Sequence, residues 1–126
     1  MKYYFPAIAW LLISTVLLLL PGSAFPKEDW LDKIWFDKWV HVGMFLVMTV
    51  LWFRAPHKNS KTDAKPAILA TQVALAVLFY GVVMELVQHR FIPNRSFDAG
   101  DIAADAAGCA MGAIFAVKWL QKNRPL

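Results

Sequence analysis

The sequence predicts an all-α membrane protein: a bundle of four transmembrane helices, with a short outward-facing interfacial helix between the first and the second. Of its 126 residues, 59% are hydrophobic, which exceeds the roughly 45–50% apolar content of soluble globular chains. Four apolar stretches approach the length of about 20 residues that a helix needs to cross the hydrocarbon core. Because these stretches occupy most of the chain, we predict one transmembrane domain over residues 1–126.

The four predicted spans differ in polarity. They cover about residues 3–20, 37–53, 67–88 and 101–120. The first span carries no charge, and the second has a polar beginning followed by an apolar run. Glu85 is the only charge in the third span, whereas the fourth is rich in small residues and carries Asp101 and Asp105 near its start.

The N-terminal stretch has an alternative interpretation as a cleaved secretory signal. Lys2, an apolar run and "PGSA" before Phe25 loosely match such a signal. The apolar run is longer than the about 7–15 residues of a usual signal core, which favours an uncleaved first span.

The distribution of charge predicts the orientation. Eight of the 13 basic residues lie at the two termini or between spans two and three, and every acidic residue except Asp63 lies on the other side. Because Lys and Arg mark cytoplasmic loops, we predict that both termini lie in the cytoplasm. The formal net charge of +4 requires no nucleic-acid partner.

The segment between spans one and two predicts the interfacial helix. Its apolar residues include Trp30, Leu31, Ile34 and Trp35, which share one helical face. Trp side chains favour the headgroup level of a bilayer. We therefore expect residues 21–36 to lie on the outer membrane surface, as an anchor or as a contact for substrate.

Polar residues gather at the outward ends of three spans. Asp37, Lys38 and His41 begin span two, Glu85 and Gln88 end span three, and Asp98, Asp101 and Asp105 precede and begin span four. Within each group, spacings of three or four residues place side chains on one helical face.

The acidic face of span four is also its small-residue face. The spacing from Asp101 and Asp105 continues to Gly108 and Gly112, a GxxxG pattern that lets a neighbouring helix approach closely. A charge in the middle of a bilayer costs about 2.5–3.5 kcal/mol on insertion scales. We therefore expect the carboxylates to meet inside the bundle, in a polar pocket that opens outward.

Each of these residues also has a purely structural interpretation. His41 alone would fit a packed histidine, and Asp37 and Asp98 could cap the helices that they precede. Arg95 alone could anchor to lipid phosphate. Glu85 is harder to explain in this way, because the dipole at a helix C-terminus disfavours an acid.

Several motifs resemble those of the VanZ-like family of small bacterial membrane proteins. They are "DKWVH" followed by Phe45, "ELVQ", and "PNRSFDAGDIAADAAG". The family pattern is roughly D-K-x-x-H-x-x-x-F, E-x-x-Q, P-x-R and D-x-x-D-x-x-x-N-x-x-G, and the resemblance covers about residues 20–115. Asp105 departs from the pattern, because the family commonly has asparagine there.

The resemblance implies a role in the cell envelope, since the family is named for a protein linked to resistance to the glycopeptide antibiotic teicoplanin. It implies a location in the bacterial cytoplasmic (inner) membrane. The site residues that it implicates are Asp37, Lys38, His41, Glu85, Gln88, Arg95, Asp98 and Asp101. We predict an enzyme or binder of an anionic lipid or lipid-linked wall precursor, with His41, Glu85 and Asp101 as catalytic candidates. The ligand-binding candidates are Asp37, Lys38, Gln88, Arg95, Asp98 and Asp105.

The sequence is also compatible with three other interpretations of these polar residues. A divalent cation could lie between Glu85, Asp101 and Asp105, although the pattern identifies no cofactor. The charges could instead form a non-catalytic salt-bridge network that fixes the helices, with Trp30 and Trp35 docking a partner. Proton-linked transport would require a homo-oligomer, because four short spans leave little room for a pathway within one chain.

Overall fold

The protein is helical throughout the part that the structure describes. The computed structural model describes residues 2–19, 36–58, 65–92 and 99–122. These residues form a 3-10 helix over Lys2–Tyr4 and the helices α1 (Phe5–Leu19), α2 (Phe36–Lys58), α3 (Pro66–Phe91) and α4 (Ala99–Lys122). Within these ranges only Lys65 and Ile92 lie outside a helix, which confirms the all-α prediction.

Three of the helices are long and apolar enough to cross a membrane. The qualifying segments are Lys38–Pro56 in α2, Pro66–Phe91 in α3 and Ala99–Trp119 in α4. Helix α1 is apolar but has 15 residues, which correspond to a length of about 22 Å. The predicted interfacial helix lies outside the described residues.

Helix α2 is longer than its predicted span at its C-terminal end, and so is α3, which continues past residue 88 to Phe91. Helix α2 continues past the predicted end at residue 53 as far as Lys58, with Pro56 inside it. Helix α3 begins at Pro66, directly after Lys65 in an extended conformation. Proline suits the first position of a helix, because the N–H group that it lacks would have no helical partner there.

The four helices alternate in direction. Contacts of Lys38 with Asp101 and of Leu46 with Gly112 show that α2 and α4 run in the same direction. Helices α1 and α3 run in the opposite direction. We call the end where α2 and α4 begin the polar end, and the opposite end, which carries the exposed residues Arg54, Lys65 and Lys118, the basic end.

Helices α2, α3 and α4 form the centre of the bundle. The most extensive contact is between α2 and α4. Among the described residues, α1 packs against α2 and α3 but not against α4. The centre is filled by large side chains such as Phe45, Met48 and Met84.

Two glycines explain why α2 and α4 approach so closely. A Cβ atom added at Gly108 would collide with the Val42 carbonyl group, and one added at Gly112 would lie 2.8 Å from the Leu46 carbonyl oxygen. The backbone of α2 therefore occupies the space that side chains would need. This geometry confirms the predicted small-residue face of the fourth helix.

The outer surface of the bundle is apolar. Phe5 in α1, Trp39 in α2, Phe79 in α3 and Phe115 in α4 are all more than half exposed. Large exposed apolar areas are unusual for a protein surrounded by water, whereas a hydrocarbon environment favours them. By contrast, His41, Glu85, Gln88 and Asp105 are buried at the polar end.

Candidate functional site: a buried polar cluster

Three helices place ionisable side chains together at the polar end. The polar cluster consists of Lys38 and His41 from the start of α2, Glu85 from the end of α3, and Asp101 and Asp105 from the start of α4. Lys38 and His41 are separated by three residues, and Asp101 and Asp105 by four, so each pair lies on one helical face. Because α2 and α4 are parallel and in close contact, these two faces meet.

The innermost contact of the cluster joins His41 to Asp105. The Nδ1 atom of His41 lies 2.7 Å from Oδ1 of Asp105. Both residues are buried, with 7% and 1% of their surface exposed. A carboxylate in such a contact fixes the orientation of the imidazole ring, which is the arrangement found in many acid–base sites.

Gly81 of α3 has no side chain, and this provides space for the carboxylate of Asp105. A Cβ atom added at this glycine would lie 2.8 Å from Oδ2 of Asp105 and 2.8 Å from Cε2 of Phe45. The absence of a side chain at residue 81 therefore allows the carboxylate of α4 to reach between α2 and α3.

The outermost contact of the cluster is an ion pair. The Nζ atom of Lys38 donates a hydrogen bond of 2.7 Å to Oδ1 of Asp101. Their side chains are 26% and 15% exposed, respectively. The second oxygen of Asp101 lies 3.9 Å from Nε2 of His41. Asp101 thus connects the partly exposed lysine to the buried histidine.

Glu85 belongs to the same cluster. It is 2% exposed and lies close enough to His41 and Asp105 to interact electrostatically with both. The prediction that carboxylates from the third and fourth helices meet near His41 is therefore confirmed.

Gln88 lies at the same end but contacts a different group. Its Nε2 atom donates a hydrogen bond to the backbone carbonyl oxygen of Leu18, one residue before the end of α1. The last carbonyl groups of a helix lack partners within the helix. Gln88 therefore attaches the end of α1 to α3, a contact that the spacing of "ELVQ" does not predict.

Aromatic rings separate the cluster from the middle of the bundle. Phe45 makes an edge contact with the ring of His41 and another with the ring of Tyr80. Tyr80 in turn shares a hydrogen bond of 2.7 Å with the hydroxyl of Thr15 in α1. The buried pair is therefore covered by apolar rings on its inner side.

Polar contacts of α1 are the features that sequence reasoning missed. Besides Thr15, Trp10 donates from Nε1 to the carbonyl oxygen of Met44 at 3.0 Å. The signal was a set of polar or amphipathic residues, Trp10, Ser14 and Thr15, in an otherwise apolar helix. Their spacing predicts a face turned towards protein rather than lipid.

Three predicted site residues are not placed by the structure. Arg95 and Asp98 lie outside the described residues, as does the side chain of Asp37, whose backbone belongs to the first turn of α2. Among the described side chains, no group of three or more His, Cys, Asp or Glu residues is arranged to hold a metal ion.

Comparisons with known proteins found no match to this chain among protein-family models, curated proteins or solved structures.

Proposed function

We propose that the chain is a VanZ-like integral membrane protein of the bacterial cytoplasmic membrane, related to the cell envelope. In this proposal it crosses the membrane four times with both termini in the cytoplasm, so that the polar end faces outward. The polar cluster then binds, and could process, the anionic headgroup of a lipid or lipid-linked wall precursor.

The dimensions and contacts of α1 support its role as the first of the four spans. Together with the 3-10 helix over Lys2–Tyr4, α1 (Phe5–Leu19) extends over about 28 Å, close to the about 30 Å of a hydrocarbon core. Trp10, Thr15 and Leu18 each contact another helix through a hydrogen bond. These contacts also favour an uncleaved N-terminal helix, since cleavage would leave Gln88 without its partner.

The observation that carries the binding proposal is the gradient of exposure through the cluster. Lys38 and Asp101 are partly exposed, whereas His41 and Asp105 lie buried below them. Water that reaches Lys38 and Asp101 weakens this ion pair relative to a fully buried one. A phosphate group can therefore compete with Asp101 for Lys38 at the outer edge of the cluster, and it would then lie above the imidazole ring.

The buried pair supports acid–base chemistry at the same place. Asp105 holds one ring nitrogen of His41, so the other nitrogen is directed towards Asp101. A histidine oriented in this way can exchange a proton with a bound group within hydrogen-bond reach. His41, Glu85 and Asp101 thus stay the catalytic candidates, and Arg95 is predicted to supply a second cationic contact.

The test compares Lys38→Gln with Lys65→Gln, which removes an exposed lysine at the basic end. Each variant is placed in nanodiscs, and binding of phosphatidylglycerol and of a polyprenyl diphosphate is measured by native mass spectrometry. We expect Lys38→Gln to weaken binding of at least one probe several-fold while Lys65→Gln retains it. Unchanged binding of both probes by Lys38→Gln would contradict the proposal.

A second candidate function is structural, and a specific observation favours it. Lys38 pairs with Asp101, and His41 pairs with Asp105, so the cluster links α2 to α4 without any ligand. Buried polar networks can fix helix packing without chemistry. In this alternative the protein is a non-catalytic membrane component that acts through a partner.

Glu85→Gln separates the two candidates. If the cluster only fixes the helices, the substitution should lower the amount of folded protein in the membrane. If Glu85 acts on a ligand, the amount should stay unchanged while binding of the probes or their turnover is lost.

A further inference from the structure

An apolar crevice lies in the half of the bundle that is nearer the basic end. Its volume is about 430 Å³, within the about 300–1,000 Å³ typical of ligand sites. Met48, Trp52 and Pro56 line it from α2, and Val73, Ala76 and Tyr80 line it from α3. The polar cluster lies beyond Phe45 and does not contribute to this lining.

The depth of the crevice matches one leaflet of a bilayer. Met48, Trp52 and Pro56 follow one another at four-residue intervals along one face of α2. From the first to the last of them the helix rises about 12 Å, and one leaflet contributes about 15 Å of hydrocarbon. Both lining helices are segments long and apolar enough to cross a membrane, so the crevice lies at the depth of acyl chains.

The lining favours hydrocarbon over water as the occupant. A buried water molecule needs two to four polar partners. The two hydroxyl groups at the inner end, those of Thr15 and Tyr80, already bond to each other at 2.7 Å, and Thr15 also donates to the Leu11 carbonyl oxygen at 2.8 Å. Tyr4 and Trp52 add a hydroxyl and an indole N–H to the lining, but most of the wall consists of aliphatic groups, a thioether and aromatic rings, which suit a flexible alkyl chain.

Basic residues lie at the level of the outer end of the crevice. Exposed Lys65 directly precedes α3, whereas exposed Arg54 lies two residues from both Trp52 and Pro56 and therefore on the opposite side of α2 from the crevice. Cationic side chains next to the membrane attract anionic lipid headgroups, at about 1 kcal/mol for each residue near the surface.

We propose that this crevice holds one acyl chain of an anionic glycerophospholipid from the leaflet at the basic end, with the phosphate near Lys65. This site is separate from the polar cluster and does not depend on the function proposed for it.

The test uses phosphatidylglycerol that carries a photoreactive diazirine in one acyl chain, in bilayers that contain the full chain. After illumination, the labelled residues are mapped by peptide mass spectrometry. We expect labelling to concentrate on crevice residues such as Met48 and Val77, and to exceed the labelling by phosphatidylcholine with the same acyl chain several-fold.

Two variants provide a matched comparison. Ala76→Phe fills the crevice and should reduce its labelling several-fold, whereas Ala110→Phe, on an exposed face of α4, should leave it unchanged.

Labelling spread evenly over exposed residues such as Phe79 and Phe115 would overturn the proposal. That result is expected if a second copy or another segment of the chain fills the crevice. The map of the unsubstituted protein decides the question even if Ala76→Phe fails to fold. Equal labelling by the two lipids would overturn the assignment of an anionic headgroup.

Discussion

At the scale of single residues, the contribution of each ion pair to stability depends on how deeply the pair is buried. His41 and Asp105 are both buried and lie 2.7 Å apart, while Lys38 and Asp101 form a more exposed pair. Breaking a buried pair by removing one partner costs about 3–5 kcal/mol. Exposed pairs contribute about 0–1 kcal/mol. The inner pair should therefore dominate the stability of the polar end.

Substitutions of Asp105 test this difference. Asp105→Asn keeps an oxygen that can accept a hydrogen bond from His41, so we expect a loss of about 1 kcal/mol or less. Asp105→Leu leaves the imidazole buried without that partner and should cost about 3–5 kcal/mol. The measurement is the fraction of protein that stays folded in mild detergent as SDS is added. Equal losses for the two variants would contradict a role for the contact with His41.

Sequence spacing predicted which residues share a face, but not which of them pair. Glu85, with its position inside an apolar helix, was expected to need a partner, and it does lie near His41. Gln88 was expected beside the acids and instead bonds to a carbonyl group of α1. That partner is a backbone group 70 residues away in sequence, and helical periodicity carries no information about it.

At the scale of helices, the contact of α2 with α4 depends on glycine. Gly108 has no room for a Cβ atom because the Val42 carbonyl group occupies that space. The sequence predicted this small-residue face from the spacing of Asp101, Asp105, Gly108 and Gly112. The sequence did not identify α2 as the partner, because any of the other helices could have offered a complementary surface.

Gly108→Ala and Gly43→Ala form a matched pair of substitutions in α4 and α2. At Gly108 the added methyl group should force the helices apart and cost about 1–3 kcal/mol. At Gly43 nothing lies within 4 Å of an added Cβ, so the better helix propensity of alanine should stabilise by up to about 1 kcal/mol. Unfolding in SDS measures both changes. A Gly108→Ala variant as stable as Gly43→Ala would show that the two helices do not touch there.

At the scale of the whole molecule, the distribution of polarity is inverted relative to a soluble bundle. His41, Glu85 and Asp105 are buried at the polar end, and large apolar residues such as Phe79 and Phe115 face outward. Composition and apolar run lengths predicted the apolar exterior, and helical spacing predicted the inward-facing acids. The apolar crevice was not predicted, because its walls come from three helices and its volume depends on their separation.

Cysteine labelling tests the proposed topology. Cys109 is buried, and replacing it by alanine gives a background for single cysteines at Ser23, Ser60 and Ser96. We expect a membrane-impermeant maleimide to label residues 23 and 96 in intact cells, and residue 60 only after permeabilisation. Labelling of residue 60 in intact cells would reverse the orientation, and protection of residue 23 would exclude the first span in its proposed direction.

The proposed function of the polar cluster requires that ionisable groups of different helices meet at one end of the bundle within a membrane. The most direct measurement is solid-state NMR in lipid bilayers with 15N-labelled histidine rings and 13C-labelled aspartate side chains. We predict a strong dipolar coupling between the His41 ring and the Asp105 carboxyl carbon, as expected from a contact of 2.7 Å between Nδ1 and Oδ1. The coupling should disappear in Asp105→Asn because the asparagine side chain carries no 13C label, which assigns the signal to residue 105. A His41 ring without coupling to any aspartate carboxyl carbon would contradict the central claim.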